Sequence, residues 1–149
     1  ISKPTMSRYR VVLFFGILIL LTFPSASIKA FHKDVYYPRA PEALLEILQD
    51  MDNPFPPTKK NIKEGNKVYF GKGLCVKCHG VKGKGVKVPG HSPRNFTDAK
   101  WQDVRTDGEM MWVLKNGSPG TSMPIRVGKV ISEKEGWKVI LFIRSLAGV

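Results

Sequence analysis

The sequence predicts an all-α fold. Two capping boxes, Thr106–Glu109 and Ser132–Glu135, each precede a run of apolar residues at helical spacing. A third run with this spacing occupies residues 44–51, and no segment alternates apolar and polar residues as a half-buried strand does. With 149 residues, 42% of them hydrophobic, and only two cysteines, the chain can build one modest core and no disulfide framework.

Residues 1–30 have the composition of a targeting segment. Arg8 and Arg10 precede an apolar run, residues 11–23, which small residues follow. As a helix this run would span about 20 Å, less than the roughly 30 Å of a hydrocarbon core. The pattern is typical of a secretory signal peptide, with an uncleaved membrane anchor through residues 11–23 as the alternative. Either interpretation places residues 31–149 outside the cytoplasm.

Residues 31–60 are predicted to be an N-terminal extension. Pro41 suits the first turn of a helix, and the apolar residues at helical spacing after it are Leu44, Leu45, Ile47, Leu48 and Met51. The proline-rich segment 53–57 then forbids regular structure. We predict a short amphipathic helix and an extended strap over the main domain. A docking arm for a partner protein is the alternative.

Residues 61–149 are predicted to form the main domain. Its first helix is expected over residues 61–79, with Gly65 and Tyr69 on one face. Gly, Pro and Lys dominate residues 80–105, which we predict to be a long loop. Helices follow the two capping boxes, and the loop 118–129 separates them. Loops of this length in a small domain are usually functional.

The chemistry is predicted to lie in Cys75-Val76-Lys77-Cys78-His79. C-x-x-C-H is the attachment sequence of c-type haem. Two thiols about one helical turn apart can each add to a vinyl group on one porphyrin edge, and the adjacent histidine can ligate the iron. A zinc site would need further cysteines, and a thioredoxin-like motif would need a βαβ unit. The motif therefore predicts one haem c, bound covalently through Cys75 and Cys78 and ligated by His79.

A sixth iron ligand has to come from elsewhere in the chain. The candidates are Met51, Met110, Met111, Met123, His32 and His91. Methionines on the apolar face of a helix are expected to pack in the core. Met123 instead lies in a loop, Gly117–Pro124, whose glycines and prolines give the backbone a fixed path. We predict Met123 as the ligand, with His91 or an open site as the alternatives.

These motifs together resemble those of class I c-type cytochromes, of the single-haem kind exported to bacterial periplasms. The resemblance covers about residues 53–149 and is carried by Gly65-x-x-x-Tyr69, Cys75–Gly80, Gly83-x-Gly85, Pro93–Thr97, Gly120–Pro124 and residues 137–146. It implies the class I cytochrome c fold, with N- and C-terminal helices crossing near the haem. Gly65 would then permit a close approach to Trp137. The resemblance also implies ligation by His79 and Met123, and a proline carbonyl, of Pro89 or Pro93, that accepts a hydrogen bond from His79.

Ligation by histidine and methionine predicts the function. An iron held at both axial positions has no open site for a substrate, so we expect electron transfer rather than catalysis, and no small-molecule substrate. The thioether favours ferrous iron and raises the reduction potential. The alternatives are a haem-bearing subunit of a membrane oxidoreductase complex, and a ligand sensor or peroxidase-like enzyme with a labile sixth ligand.

The charge predicts the kind of partner. The chain carries a formal net charge of +12, and residues 31–149 alone keep 20 bases against 12 acids, a net +8. The lysines around the haem motif are Lys72, Lys77, Lys82, Lys84 and Lys87. They are either a solvated loop or a positive ring that steers the protein onto the acidic docking surfaces of redox proteins. Export and the lack of a binding motif argue against nucleic acid.

Overall fold

The computed structural model describes residues 36–87, 89 and 92–149. Within these ranges the chain forms six helices and no strand, so the all-α prediction is confirmed. In chain order they are α1 (Glu42–Gln49), α2 (Lys59–Phe70), α3 (Val76–His79), α4 (Ala99–Val104), α5 (Asp107–Asn116) and α6 (Glu133–Arg144). The predicted targeting segment, His32 and His91 lie outside the described residues. Among the helices described, none is long and apolar enough to cross a membrane.

Both predicted capping boxes are confirmed. The side chains of Thr106 and Ser132 accept hydrogen bonds from the backbone N–H groups of Glu109 and Glu135, and each glutamate carboxylate accepts one from the backbone N–H of its cap. These bonds satisfy N–H groups that the helix leaves unpaired. They set the starts of α5 and α6, the two long helices after the haem motif.

The predicted helix over residues 61–79 is wrong. α2 ends at Phe70, and α3 begins only at Val76. Gly71 is the C-cap of α2, and Leu74 has φ +53°, a left-handed backbone that no helix can contain. The chain therefore turns between the two helices, and the haem motif lies on a helix of its own.

The predicted loop over residues 80–105 contains a helix that the sequence pattern did not reveal. α4 is six residues long, and the Asp98 carboxylate caps it by accepting from the Trp101 N–H at 3.1 Å. The buried Gln102 amide of α4 donates to the carbonyls of Phe96 and Ile143, at 2.7 and 2.8 Å. A helix this short has no measurable period, and tertiary hydrogen bonds hold it in place.

The crossing of α2 and α6 is the most extensive helix–helix contact in the described chain. At Gly65 the two backbones meet, since a β-carbon there would collide with the Lys138 carbonyl and lie 3.1 Å from Phe142 Cβ. The expected approach of Gly65 to Trp137 is thus corrected by one residue, to Lys138. The fully buried Tyr69 packs edge-on to Phe142. Its hydroxyl donates to the Gly80 carbonyl at 2.8 Å, which ties the crossing to the end of α3.

The described part of the extension, residues 36–58, packs on the main domain as the predicted strap. α1 lies against α5, with Leu48 buried and the Thr106 hydroxyl donating to the Leu48 carbonyl at 3.1 Å. The Asn53 amide donates to the Trp137 carbonyl at 3.0 Å. α2 already begins at Lys59, and the division into segments 1–30, 31–60 and 61–149 stays a prediction.

We expect Gly65→Ala to lower the free energy of unfolding of the haem-loaded protein by about 1–3 kcal/mol, because the added methyl group forces α6 away from α2. The loss should appear in spite of the better helix propensity of alanine. Chemical denaturation followed by far-UV circular dichroism measures it. Lys63→Ala, at an exposed position of the same helix, is the control and should change little. Equal stability of the two variants would contradict the close approach.

Candidate functional site

One cavity of about 550 Å³ brings together the four predicted site residues, Cys75, Cys78, His79 and Met123. Its size falls in the range of about 300–1,000 Å³ that is usual for ligand sites. The apolar side chains of its walls come from α5, α6 and the loops, and include Leu74, Phe96, Met110, Leu114, Ile140 and Ile143. The cavity around the motif is therefore apolar and is lined by two thiols, one imidazole and one thioether, all of which can bind a haem or its iron.

Helix α3 presents both thiols to this cavity. Cys75 is its N-cap, and the Cys78 N–H donates to the Cys75 carbonyl at 3.2 Å, which places the two cysteines one turn apart. Cys75 is buried and Cys78 exposed, and they form no disulfide. Burial raises the pKa of the Cys75 thiol to about 11. This thiol is therefore protonated at neutral pH.

His79 is buried and held from two sides. Its Nδ1 lies 3.0 Å from the Arg94 carbonyl oxygen, and its ring stacks on Phe96 with 4.2 Å between centroids. Because a carbonyl only accepts, Nδ1 carries the proton and Nε2 keeps its lone pair. Burial lowers the pKa of His79, and so do the charges of Arg94 and Arg126, against the opposing effect of the Arg94 hydrogen bond. The imidazole is thus kept neutral, the form that ligates a metal.

The carbonyl that accepts from His79 corrects an expectation. The resemblance implied Pro89 or Pro93, whereas the structure uses Arg94. The Pro93 carbonyl instead packs on Gly85, where a β-carbon would lie 2.7 Å from its oxygen. The next carbonyl along the chain then reaches the imidazole.

Met123 lies in a loop that is fastened to the end of α5. The Ser118 N–H donates to the Met123 carbonyl at 3.1 Å, and the Met123 N–H donates to the Thr121 hydroxyl at the same distance. The Arg126 N–H donates to the Leu114 carbonyl at 2.8 Å, which closes the loop against α5. Met123 is half-buried and contributes to the cavity wall.

The other methionine candidates occupy different surroundings. Met110 also lines the cavity, but it belongs to α5 and is only 6% exposed within the core. Met111 is buried in the same core and Met51 is half-exposed at the end of α1, and neither lines the cavity. The structure therefore brings two methionines to the cavity, one from a loop and one from a helix.

Sequence reasoning missed the arginines of the site. Four of them line the cavity: Arg39, Arg94, Arg105 and Arg126. Arg105 is 5% exposed, and its guanidinium donates to the Glu109 carboxylate at 2.7 Å and to the Tyr36 carbonyl at 2.6 Å. Burial, together with neighbouring arginines, lowers the pKa of Arg39 and Arg94. No local pattern marks Arg39, which stands 36 positions before Cys75.

The residues present fit a haem bound through the motif. Two thiols one turn apart, a neutral imidazole, a thioether and apolar walls supply its attachment and its ligands. The arginines supply positive charge, which suits the two propionates of a haem. Among the described residues no cluster of His, Cys, Asp or Glu could hold a bare metal ion instead.

Fold and site together define a class I c-type cytochrome. The family model for cytochrome c matches residues 62–147, more than half of the chain, and the protein belongs to that family. Its cofactor is haem c, bound covalently.

The solved structures that are similar to this chain include the following three. A chain of a reducing HAO-like protein complex of Kuenenia stuttgartiensis shares 29% identity at a TM-score of 0.52, over 63% of this chain and 47% of that one. The KustC0563 c-type cytochrome shares 26% identity at a TM-score of 0.49, over 56% of this chain and 96% of that one. Cytochrome cL of Methylophaga aminisulfidivorans MPT shares 17% identity at a TM-score of 0.53, over 72% of this chain and 67% of that one. This is a likeness of fold alone. This chain thus spans about half the length of the Kuenenia chain. No curated protein matches the sequence.

We expect Arg39→Gln to lower the reduction potential of the haem-loaded protein by roughly tens of millivolts, because a positive charge beside the cavity favours the reduced iron. Spectroelectrochemical titration measures the shift, which should grow at low ionic strength. Arg39→Lys should keep most of the potential. Lys63→Gln removes the same charge from an exposed position on α2 and should change it little. Equal potentials for Arg39→Gln and Lys63→Gln would contradict a role of the extension in the site.

Proposed function

We propose that this protein is a single-haem electron carrier that works between redox proteins outside the cytoplasm, and that His79 and Met123 would ligate the haem iron. The observation that carries the proposal is the position of Cys75, Cys78, His79 and Met123 on the walls of one cavity. The one C-x-x-C-H motif and the size of this cavity support a single haem. The haem supplies one-electron chemistry at its iron when bound.

The contacts of the two methionines favour Met123 over Met110 as the ligand. Met110 packs within the core that α5 contributes to, as expected of a helix methionine. Met123 lies in a short loop. Hydrogen bonds close this loop on itself and fasten it to α5. Such a loop can present a thioether without disturbing the packing of a helix.

Ligands held in this way support a carrier rather than a ligand sensor or a peroxidase-like enzyme. The Arg94 carbonyl and Phe96 hold the His79 ring, and backbone hydrogen bonds hold the loop of Met123. Held in this way, both side chains are suited to stay in place when the oxidation state changes. We therefore propose no catalytic residue and no small-molecule substrate.

The lysines beside the motif support docking by charge. Lys77, Lys82, Lys84 and Lys87 are exposed, and none of them forms an ion pair within the described ranges. We name these four the basic haem-edge surface. Lys72 differs, because its ammonium lies 2.7 Å from a Glu135 carboxylate oxygen of α6. The four unpaired charges favour redox partners with acidic docking surfaces.

A second candidate is a haem-bearing subunit of a larger oxidoreductase. The Kuenenia relative is a chain of a reducing HAO-like protein complex, which favours assembly with other redox proteins. Export to the periplasm, and a membrane association through residues 11–23, are part of this proposal and rest on the composition of residues 1–30.

We expect Met123→Ala to abolish the weak far-red band that marks a methionine–iron bond in the ferric spectrum, and to lower the reduction potential by about 0.1 V or more. Met110→Ala is the matched control. It should cost about 2–5 kcal/mol of stability through the cavity it leaves, and should keep the band. Visible spectroscopy and potentiometric titration separate the two. If Met110→Ala lost the band and Met123→Ala kept it, the assignment would be reversed.

The combined change Lys82→Gln, Lys84→Gln and Lys87→Gln should slow the oxidation of the ferrous protein by ferricyanide, an anion, several-fold at low ionic strength. The reason is that the local positive potential steers anionic reactants. The difference should shrink toward about 0.15 M salt, where charges are screened over about 8 Å. Stopped-flow absorbance measures the rates.

The matched control is Lys63→Gln, Lys129→Gln and Lys134→Gln, three exposed lysines elsewhere with the same total charge. This control should keep a rate closer to that of the unmodified protein. Rates that respond neither to salt nor to the haem-edge lysines would count against docking by charge.

A further inference from the structure

The acids of this basic protein are concentrated in the extension. Residues 40–58 hold four of the 12 Asp and Glu residues and none of the 24 Lys and Arg residues. The four are Glu42, Glu46, Asp50 and Asp52, and all are exposed. Each of the five ion pairs in the described part of the chain uses a different acid from residues 59–149. Within the described residues, the acids of the extension therefore form no ion pair with the protein's own lysines and arginines.

Exposed apolar side chains accompany these acids. Ile47 is 64% exposed, and Leu44 and Met51 are also exposed, whereas Leu48 turns toward α5. Since each residue advances a helix by about 100°, Glu42, Glu46 and Asp50 lie within about 80° of one another, and Ile47 lies about 60° beyond Asp50. We name Glu42, Glu46, Ile47 and Asp50 the acidic α1 surface. It combines negative charge with apolar area, as protein interfaces do.

The same molecule carries a segment of opposite charge and similar composition. Residues 81–87 read Val-Lys-Gly-Lys-Gly-Val-Lys and contain no acid. Val81 is 70% exposed, Val86 and the three lysines are exposed as well, and no ion pair in the described ranges involves these lysines. We name this segment the basic loop. Three acids with an apolar neighbour on one surface thus match three lysines with apolar neighbours on another.

We infer that the acidic α1 surface of one copy binds the basic loop of a second copy, head to tail. The contact joins carboxylates to ammonium groups and removes Ile47 and Val81 from water. Because the two surfaces differ, each added copy leaves one of each kind exposed, so the association forms open chains rather than closed dimers.

The contact also restricts docking, because Lys82, Lys84 and Lys87 belong to the basic haem-edge surface as well. A copy bound through its basic loop cannot offer those lysines to an acidic partner. The self-association itself does not rest on the proposed electron-carrier function, and its test uses no electron transfer.

Salt should affect this association in two directions. Two copies with the same positive net charge repel each other at long range, and this repulsion is strongest at low ionic strength. At about 0.15 M salt the screening length is about 8 Å, so distant charges are screened while touching pairs still attract. At 1 M it is about 3 Å, and the touching pairs weaken too. Association should therefore be strongest at intermediate salt.

Sedimentation equilibrium of the purified haem-loaded protein tests the inference. At about 0.15 M salt the average mass should rise with protein concentration. The acid-blocked variant (Glu42→Gln, Glu46→Gln and Asp50→Asn) and the lysine-blocked variant (Lys82→Gln, Lys84→Gln and Lys87→Gln) should each associate about ten-fold more weakly or worse. A mixture of the two should form dimers and nothing larger, because each supplies only one of the surfaces.

Matched variants separate local from total charge. Asp103→Asn removes an exposed acid of α4, and Lys63→Gln with Lys129→Gln and Lys134→Gln removes three exposed lysines elsewhere. Both should associate like the unmodified protein. Carbodiimide cross-linking of a mixture of ¹⁵N-labelled and unlabelled copies should join Glu42, Glu46 or Asp50 of one copy to a basic-loop lysine of the other.

A protein that stays monomeric at every salt and concentration would overturn the inference. So would association that survives both blocked variants, or cross-links between copies that leave out α1. The acid-blocked variant keeps every residue of the cavity. Loss of its self-association with an unchanged visible spectrum and potential would therefore support the inference without bearing on the proposed function.

Discussion

The hydrogen bond between His79 Nδ1 and the Arg94 carbonyl holds the site together. It joins α3 to the segment 93–96, which the Phe96 N–H also fastens to the Gly83 carbonyl at 2.7 Å. Phe96 in turn stacks on the imidazole, and its own carbonyl accepts from Gln102 of α4. The orientation of the imidazole, the cavity wall and the small helix α4 are thus one connected unit.

The features that could be predicted from the sequence are those that a few neighbouring residues determine. Capping boxes consist of four neighbouring residues, so the starts of α5 and α6 could be located. The C-x-x-C-H motif likewise places two thiols and an imidazole within five positions. Met123 could be predicted to lie at the cavity because no helix explains a methionine in that loop, and its role as a ligand stays a prediction. α4, the turn at Leu74, and the carbonyl of Arg94 were missed, since each depends on a backbone direction or a distant hydrogen bond. The residue that Gly65 approaches was misplaced by one position, from Lys138 to Trp137. Helical periodicity predicts which side of a helix is buried, but not which residues of two packed helices lie opposite each other.

The arginines of the cavity are a second feature that the sequence pattern could not predict. Arg39, Arg94 and Arg105 are far apart in the sequence and reach one cavity only after folding. A buried charge has to be paired to be tolerated, and Glu109, itself 2% exposed, meets this need for Arg105. By contributing Tyr37 and Arg39, the extension becomes a wall of the cavity as well as a strap across α5. The net charge shows that the protein is basic, but it does not show that several arginines line one cavity.

The burial of Cys75 has a consequence for the order in which the protein is assembled. A thiolate is far more reactive than a thiol, and in the packed chain the Cys75 thiol is buried with its pKa raised to about 11. Once α3 has closed against Tyr69 and Phe96, this sulfur is protonated and can be reached only from the cavity. We therefore expect the Cys75 thiol to add to a haem vinyl group more readily while the chain around α3 is still open.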